Sequence, residues 1–366
     1  ERNQLIWLIS YTNNEINIKK EYPNNFDNKN YKLVVENLSK SNLDNSYKPN
    51  DNLLELFKDD RFLYHLLSKR FSFDESQLIT DTLSKKMFLK IIAIRLLPLL
   101  TIVLGSLLVL RTLWSVLASR KIEWKEFKPL DLDLLDMVLL ISGGFVVLGE
   151  VISPLFSITL VELVASNLSI ELTQSLKIFF GYLFMAIPPL GIIYYQIKSF
   201  EKKIILKKDY FQFNFLPIKD SFFQGFKGFL MIIPFVLLVS LIMNLLVDNQ
   251  NGSNPLLEIV LNSNNYFSFL LLFLTTTFLA PIFEEIIFRG VLLPILSREF
   301  GIILGIIISA FIFALAHLSI GEMIPLFTLG IGLGTTRLIS GRLSSSVIMH
   351  SLWNGMTFLN LFLLRT

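Results

Sequence analysis

The sequence predicts an all-α, polytopic transmembrane bundle of about eight spans with a polar N-terminal segment. Three observations predict it. The chain of 366 residues is 52% hydrophobic and only 17% charged. Its apolar residues are concentrated after about Met87 in long uncharged runs, each close to the roughly 20 residues that a helix needs to cross a bilayer. Lysine and arginine cluster in a few connections between those runs, the pattern of loops sorted to one side of a membrane. Cysteine is absent, which excludes disulfides, thiolate metal sites and a catalytic thiol. The net charge of +3 is too small to argue for a nucleic-acid partner.

Three regions follow from composition: a polar N-terminal segment over 1–86, membrane spans with a basic loop over 87–228, and a C-terminal membrane domain over 229–366. The first region is rich in Asn, Lys, Asp, Glu and Ser up to about Asn52, which suits a loosely structured or accessory segment. Leu53–Leu67 then repeats apolar residues at three- and four-residue steps, which predicts an amphipathic helix lying on its own small domain or on the bilayer surface. His65 lies in this polar region and reads as ordinary. The first span is placed at Ile91–Leu117, with Arg95 and Arg111 long enough to snorkel. The second, Val138–Val161, is interrupted by Gly143, Gly144, Glu150 and Pro154. Glu150 reads either as a second functional carboxylate or as one facing the bundle interior.

Ile178–Ile197 is the third span. The lysines after it, Lys198, Lys202, Lys203, Lys207, Lys208 and Lys219, form the most basic loop, and the positive-inside rule assigns it to the cytoplasmic side. Phe229–Val247 is the fourth span. The Asn-rich connection from Asp248 to Asn265 carries no Lys or Arg and belongs on the far side. Tyr266–Phe288, Gly301–Leu318, Met323–Ile339 and Ser344–Leu364 complete the set, which puts Arg289, Arg298, Arg337 and Arg342 in cytoplasmic turns. Gly301, Gly305 and Ser309 share one helical face, as do Gly330 and Gly334, and such small residues let helices approach closely.

Charge inside this apolar material is costly and points to function. The run Pro281–Gly290 carries Glu284, Glu285 and Arg289, and His317 and His350 also lie in apolar sequence. Residues four apart share a helical face, so Glu285 sits beside Arg289 as a neutralised couple while Glu284 is turned about 100° away and needs another partner. Phe313 shares a stripe with His317, and His350 with Asn354. A carboxylate, two imidazoles and a carboxamide facing one cavity supply a base, a second proton carrier and oxyanion donors, which is the inventory of a hydrolase. The same residues also fit helix association alone, a zinc site of Glu284, His317 and His350, or an ion or proton transporter.

Glu284-Glu285-x-x-x-Arg289, Phe313-x-x-x-His317 and His350-x-x-x-Asn354, in that order in apolar helices, resemble the three motifs of the CPBP family. That family comprises membrane-embedded CAAX prenyl proteases and bacteriocin-processing or Abi-type enzymes. The resemblance covers about Tyr266 to Phe358 and includes Phe288-Arg289-Gly290 and the glycine-rich stretch Gly330–Gly334. It implies a metal-independent, cofactor-free intramembrane endopeptidase in which Glu284 and His317 activate water, and His350 and Asn354 stabilise the oxyanion. Glu285, Arg289 and Phe313 then support the site. Its implied partners are the lipid bilayer and a membrane-associated peptide or prenylated protein. Some members of such families act as non-proteolytic adaptors, which stands as the alternative. The expected location is a bacterial inner membrane or an organelle membrane of bacterial descent.

At about 1.5 Å per residue from a turn near Leu343, His350 and Asn354 lie roughly 10 to 17 Å into the bilayer, which predicts access from the cytoplasmic side. His317, counted from Phe300, comes out at roughly 25 Å, so the sixth span must start inside the membrane or tilt. Pro281, Gly290 and Pro294 mark places where the preceding helix can break to accommodate it.

Overall fold

A computed structural model describes residues 81–118, 122–127, 132–165, 168–201, 211–246 and 265–364. The helix expected at Leu53–Leu67, His65, the lysines from Lys202 to Lys208 and most of the Asn-rich connection lie outside the described residues. The chain divides into two compact units, residues 1–90 and 91–366, and every part of the site belongs to the second.

Among the described residues every regular element is helical. The helical runs are α1 (Asp81–Leu117), α2 (Leu134–Val164), α3 (Ile170–Glu201), α4 (Ile218–Leu246), α5 (Tyr266–Phe300), α6 (Ile302–Leu315), α7 (Ile320–Ser340) and α8 (Leu343–Leu364). Six of these contain stretches long and apolar enough to cross a membrane, and α6 is a shorter apolar helix. Each span expected from sequence has its helix, but α4 begins at Ile218 rather than Phe229 and α5 continues to Phe300. Hydropathy ends where charges such as Lys219, Asp220 and Lys227 begin, whereas a helix ends where its backbone hydrogen bonds end.

Helix α5 is the centre of the bundle. Its 35 residues would extend about 50 Å, well beyond a hydrocarbon core of roughly 30 Å. Its final part is accordingly covered by protein: every residue from Ile287 to Ser297 is buried. The breaks anticipated at Pro281, Gly290 and Pro294 do not occur. Two π-helical stretches, Thr275–Leu279 and Ile286–Leu292, absorb the irregularity instead. In them the Ala280 N–H bonds the Thr275 carbonyl and the Leu293 N–H bonds the Phe288 carbonyl, five residues back. A proline removes one ladder bond in either register, and widening one turn keeps the remainder of the helix intact. A longer π stretch in α2, Leu139–Ile152, contains Gly143, Gly144 and Glu150.

Around α5, helix α4 packs on both α7 and α8, α6 pairs with α7 and the last part of α5, and α3 lies against α2 and the first part of α5. Phe283, Ile287, Phe288, Leu292, Phe313, Leu329, Leu333 and Met349 fill the space between them. Helix α1 is peripheral, with only 6% of its apolar window buried and Leu100, Leu104, Leu107 and Leu110 exposed, as suits contact with lipid. Gly330 permits the closest approach of α6 and α7: a Cβ there would stand 2.9 Å from that of Ala310. Gly301 departs from the packing role expected for it. With φ at +81° it forms the turn between α5 and α6, a conformation other residues resist. Ser309 donates its hydroxyl to the Phe288 carbonyl at 3.1 Å.

Arg298, Arg337 and Arg342 gather at one end of the bundle, whereas Arg289, expected in a turn, lies completely buried within α5. Arg337 is buried and donates to Gln212 Oε1 at 2.8 Å, and Arg342 donates to the Asn214 and Leu216 carbonyls at 2.9 Å. The Lys125 N–H meets the Leu338 carbonyl at 2.9 Å, and Arg298 donates to the Leu132 carbonyl at 2.8 Å. These arginines therefore tie the connecting segments to the helix ends as well as marking the side on which they lie.

Candidate active site

Glu284, His317, His350 and Asn354 line one cavity of about 460 Å³. That size lies within the roughly 300–1,000 Å³ typical of ligand pockets. Glu284 comes from the short α-helical turn Ala280–Glu285 held between the two π stretches of α5. His317 follows the end of α6, and His350 and Asn354 lie one turn apart on α8.

Glu284 is 6% exposed, and its Oε2 has no hydrogen-bond partner. Its nearest ionisable neighbour is His350, whose Nε2 stands 3.8 Å from that oxygen. Such a distance permits charge attraction but is too long for a direct hydrogen bond. An unpaired carboxylate oxygen beside a cavity is where a polar ligand or a water can be held.

Glu285 is completely buried and accepts from Arg289 Nη1 at 2.8 Å, the couple expected from their spacing. The same oxygen, Oε1, also lies 3.0 Å from His350 Nδ1. Glu285 therefore does not stand on a separate face, because it joins the arginine to the imidazole of the site. Arg289 donates further to the Gly330 carbonyl at 3.2 Å, and its guanidinium carbon lies 4.4 Å from the centroid of the Phe313 ring. Phe313 also meets the rings of His317 and His350 edge to face, at 4.8 and 5.7 Å between centroids. One phenyl ring thus fixes the arginine and both imidazoles.

These contacts assign the protons. His317 Nδ1 lies 2.9 Å from the Phe313 carbonyl, which can only accept, so Nδ1 is the donor in that contact. His350 Nδ1 faces a carboxylate and donates to it, which orients Nε2 toward Glu284. Asn354 donates from Nδ2 to the Thr276 carbonyl at 2.9 Å. That carbonyl is available because the Ala280 N–H has gone to Thr275 and Pro281 has no N–H to offer. The second N–H of the same amide is left for the cavity.

Sequence spacing alone did not identify the rest of the wall. Tyr182 from α3, Ser240 and Asn244 from α4, Thr276 from α5 and Glu322 from α7 also line the cavity. Their register against α5 and α8 is tertiary, and a single hydroxyl in an apolar helix gives no signal of it. Glu150, half-buried on α2, lies within electrostatic reach of Glu284, His317 and Tyr182.

The cavity extends away from the basic end. Past His350 and Asn354 its wall continues to Leu361 near the end of α8, to Asn244 near the end of α4 and to Glu322 at the start of α7. These three ends lie opposite the arginine turns. Access from the basic side, expected from counting residues, is thus corrected: on that side Ser344, Ser345 and Ser346 are buried and α4 closes against α8.

Residues 266–356 match the family described as type II CAAX prenyl endopeptidase Rce1-like. Residues 1–89 match a domain of unknown function, DUF8675. No curated protein and no solved structure matches the chain.

Proposed function

We propose that this cavity hydrolyses a peptide bond of a membrane-associated substrate with Glu284 as the general base, a reading supported by the match of residues 266–356 to the type II CAAX prenyl endopeptidase Rce1-like family and by the six helices long and apolar enough to cross a membrane. The observation that carries the reading is the convergence of an unpaired buried carboxylate, two oriented imidazoles and a carboxamide on one cavity.

The chemistry follows from the hydrogen bonds. A water held between Glu284 Oε2 and His317 Nε2 loses a proton to Glu284 as its oxygen attacks the scissile carbonyl carbon. The oxyanion formed takes hydrogen bonds from His350 Nε2–H, with the imidazole in its doubly protonated form, and from the second N–H of Asn354. Glu285 balances that imidazolium charge through Nδ1, and Arg289 balances Glu285. When the tetrahedral intermediate collapses, the C–N bond breaks and the proton on Glu284 passes to the departing amine. The products are a carboxylate and a free amino group.

Asn354→Ala tests the oxyanion role. Turnover should fall by about 100-fold or more with KM little changed, measured on a labelled membrane peptide in liposomes. A change confined to KM would place Asn354 in substrate binding instead.

Metal dependence separates this mechanism from a zinc peptidase. Among the described residues no three His, Asp or Glu side chains are grouped so as to hold a metal ion. Purified protein is expected to contain no stoichiometric metal and to retain its activity after exhaustive chelation. One zinc per chain, with activity lost on chelation and restored by zinc, would reverse the assignment.

A further inference from the structure

Each imidazole of the site is oriented through Nδ1, but only one of them meets a charge there. His350 Nδ1 faces the Glu285 carboxylate, whereas His317 Nδ1 faces the neutral Phe313 carbonyl. A further carboxylate, Glu150 on α2, takes no part in the steps through Glu284, His350 and Asn354. It is half-buried, does not line the cavity, and makes no hydrogen bond or ion pair among the described residues. A carboxylate in an apolar span is costly and points to function.

Two features of α2 turn Glu150 toward the site. In the π stretch Leu139–Ile152 the backbone bonds close five residues back, so residues five apart come near one face. Phe145 and Glu150 are related in this way, and the buried Phe145 ring stacks 5.9 Å from that of Phe283, the chain neighbour of Glu284. Gly149 supplies the second feature. A Cβ there would stand 3.0 Å from the Met185 carbonyl oxygen, so α2 meets the backbone of α3 three residues from Tyr182. Glu150 accordingly interacts electrostatically with His317 and Glu284, and Tyr182 with both carboxylates. These four groups, from α2, α3, α5 and the end of α6, form one cluster.

We propose that Glu150 is a positioning residue for His317, its carboxylate balancing the charge on that imidazole as it carries a proton from Glu284 to the departing amine. This rests on the peptidase reading and deepens it. The proton that Glu284 takes from water passes to His317 Nε2, the nitrogen that the Phe313 carbonyl leaves unengaged, and from there to the amine nitrogen as the C–N bond breaks. Glu284 is then ionised again and His317 is neutral. During the transfer Glu284 has given up its proton to the imidazole, and a second negative charge beside the imidazolium stabilises it, as Glu285 does for His350.

The test compares two cleavage rates in one preparation of the full-length protein in liposomes. One substrate is a labelled membrane peptide, and the other is the same peptide with a thioester in place of the scissile amide. A thiolate departs without being protonated, whereas an amine needs the proton that His317 delivers. Glu150→Gln keeps the shape of the side chain, removes its charge and has no hydrogen bond to lose. It should lower amide turnover by about 100-fold with KM little changed, and leave thioester turnover nearly as it was. Loss of folded protein would lower both rates together, so their ratio reports the chemical step. A fall of both rates by the same factor, or an unchanged amide rate, would overturn the proposal and leave the peptidase reading in place. Cleavage of neither substrate by the unmodified protein would remove the peptidase reading, and this role for Glu150 with it.

Discussion

Glu284→Gln is expected to reduce peptide cleavage by about 1,000-fold or more while leaving the protein folded and inserted. Glutamine keeps the size and one acceptor of the carboxylate, and the position tolerates it because Oε2 has no hydrogen bond to lose. A neutral amide cannot take the proton from water, and it also removes the charge that His350 Nε2 faces at 3.8 Å. The measurement is turnover in liposomes, with thermal unfolding in detergent as the control for folding. Complementation in the native host separates enzyme from adaptor. Full complementation by Glu284→Gln at normal abundance would remove the peptidase assignment and leave an adaptor that uses the residue for packing.

Arg289→Ala should produce the largest loss of stability. Arg289 and Glu285 are both fully buried, so removing the arginine strands a carboxylate at a cost of about 3 to 5 kcal/mol. Phe313 loses the cation on its face and the Gly330 carbonyl loses a donor at the same time. The unfolding midpoint in detergent should fall sharply. The double variant Glu285→Leu/Arg289→Met removes both charges and should recover much of the midpoint, because an apolar replacement of a buried pair is often close to neutral. Activity should not recover with it, since His350 Nδ1 would lose its carboxylate partner. Equal recovery of stability and turnover would show that Glu285 matters to the fold alone.

These two outcomes reflect what the sequence could and could not convey. Uninterrupted apolar runs and the placement of lysine and arginine were enough to read the helices, because lipid imposes both. Four-residue spacing gave the Glu285–Arg289 pair, since both residues lie on one helix. The Glu285–His350 bond was not legible: it depends on how α5 is rotated against α8, and neither apolar sequence encodes that rotation. The π stretches escaped notice for a related reason. Where nearly every residue is apolar, periodicity cannot distinguish five residues per hydrogen-bonded turn from four, so Pro281, Gly290 and Pro294 read as breaks. The direction of the cavity was misread because a depth count treats every helix as upright and ignores which ends are closed by packing.

The π stretches of α5 also bear on how the molecule can move. Each leaves its helix tied by a side chain from a neighbour: Asn354 holds the Thr276 carbonyl and Ser309 holds the Phe288 carbonyl. With Arg289 bound to Gly330, α5 is laced to α6, α7 and α8 by three polar ties, two of them at neighbouring residues. A helix fastened in this way cannot slide or roll as a rod without first breaking polar bonds in a place where water is scarce to replace them. It acts as the stationary post of the bundle, whereas the lipid-facing α1, with only 6% of its apolar window buried, is the helix freest to yield. A cross-link that pins α1 to α4 should therefore restrict motion that α5 never makes, measurable as a change in hydrogen exchange of α1 with that of α5 unchanged.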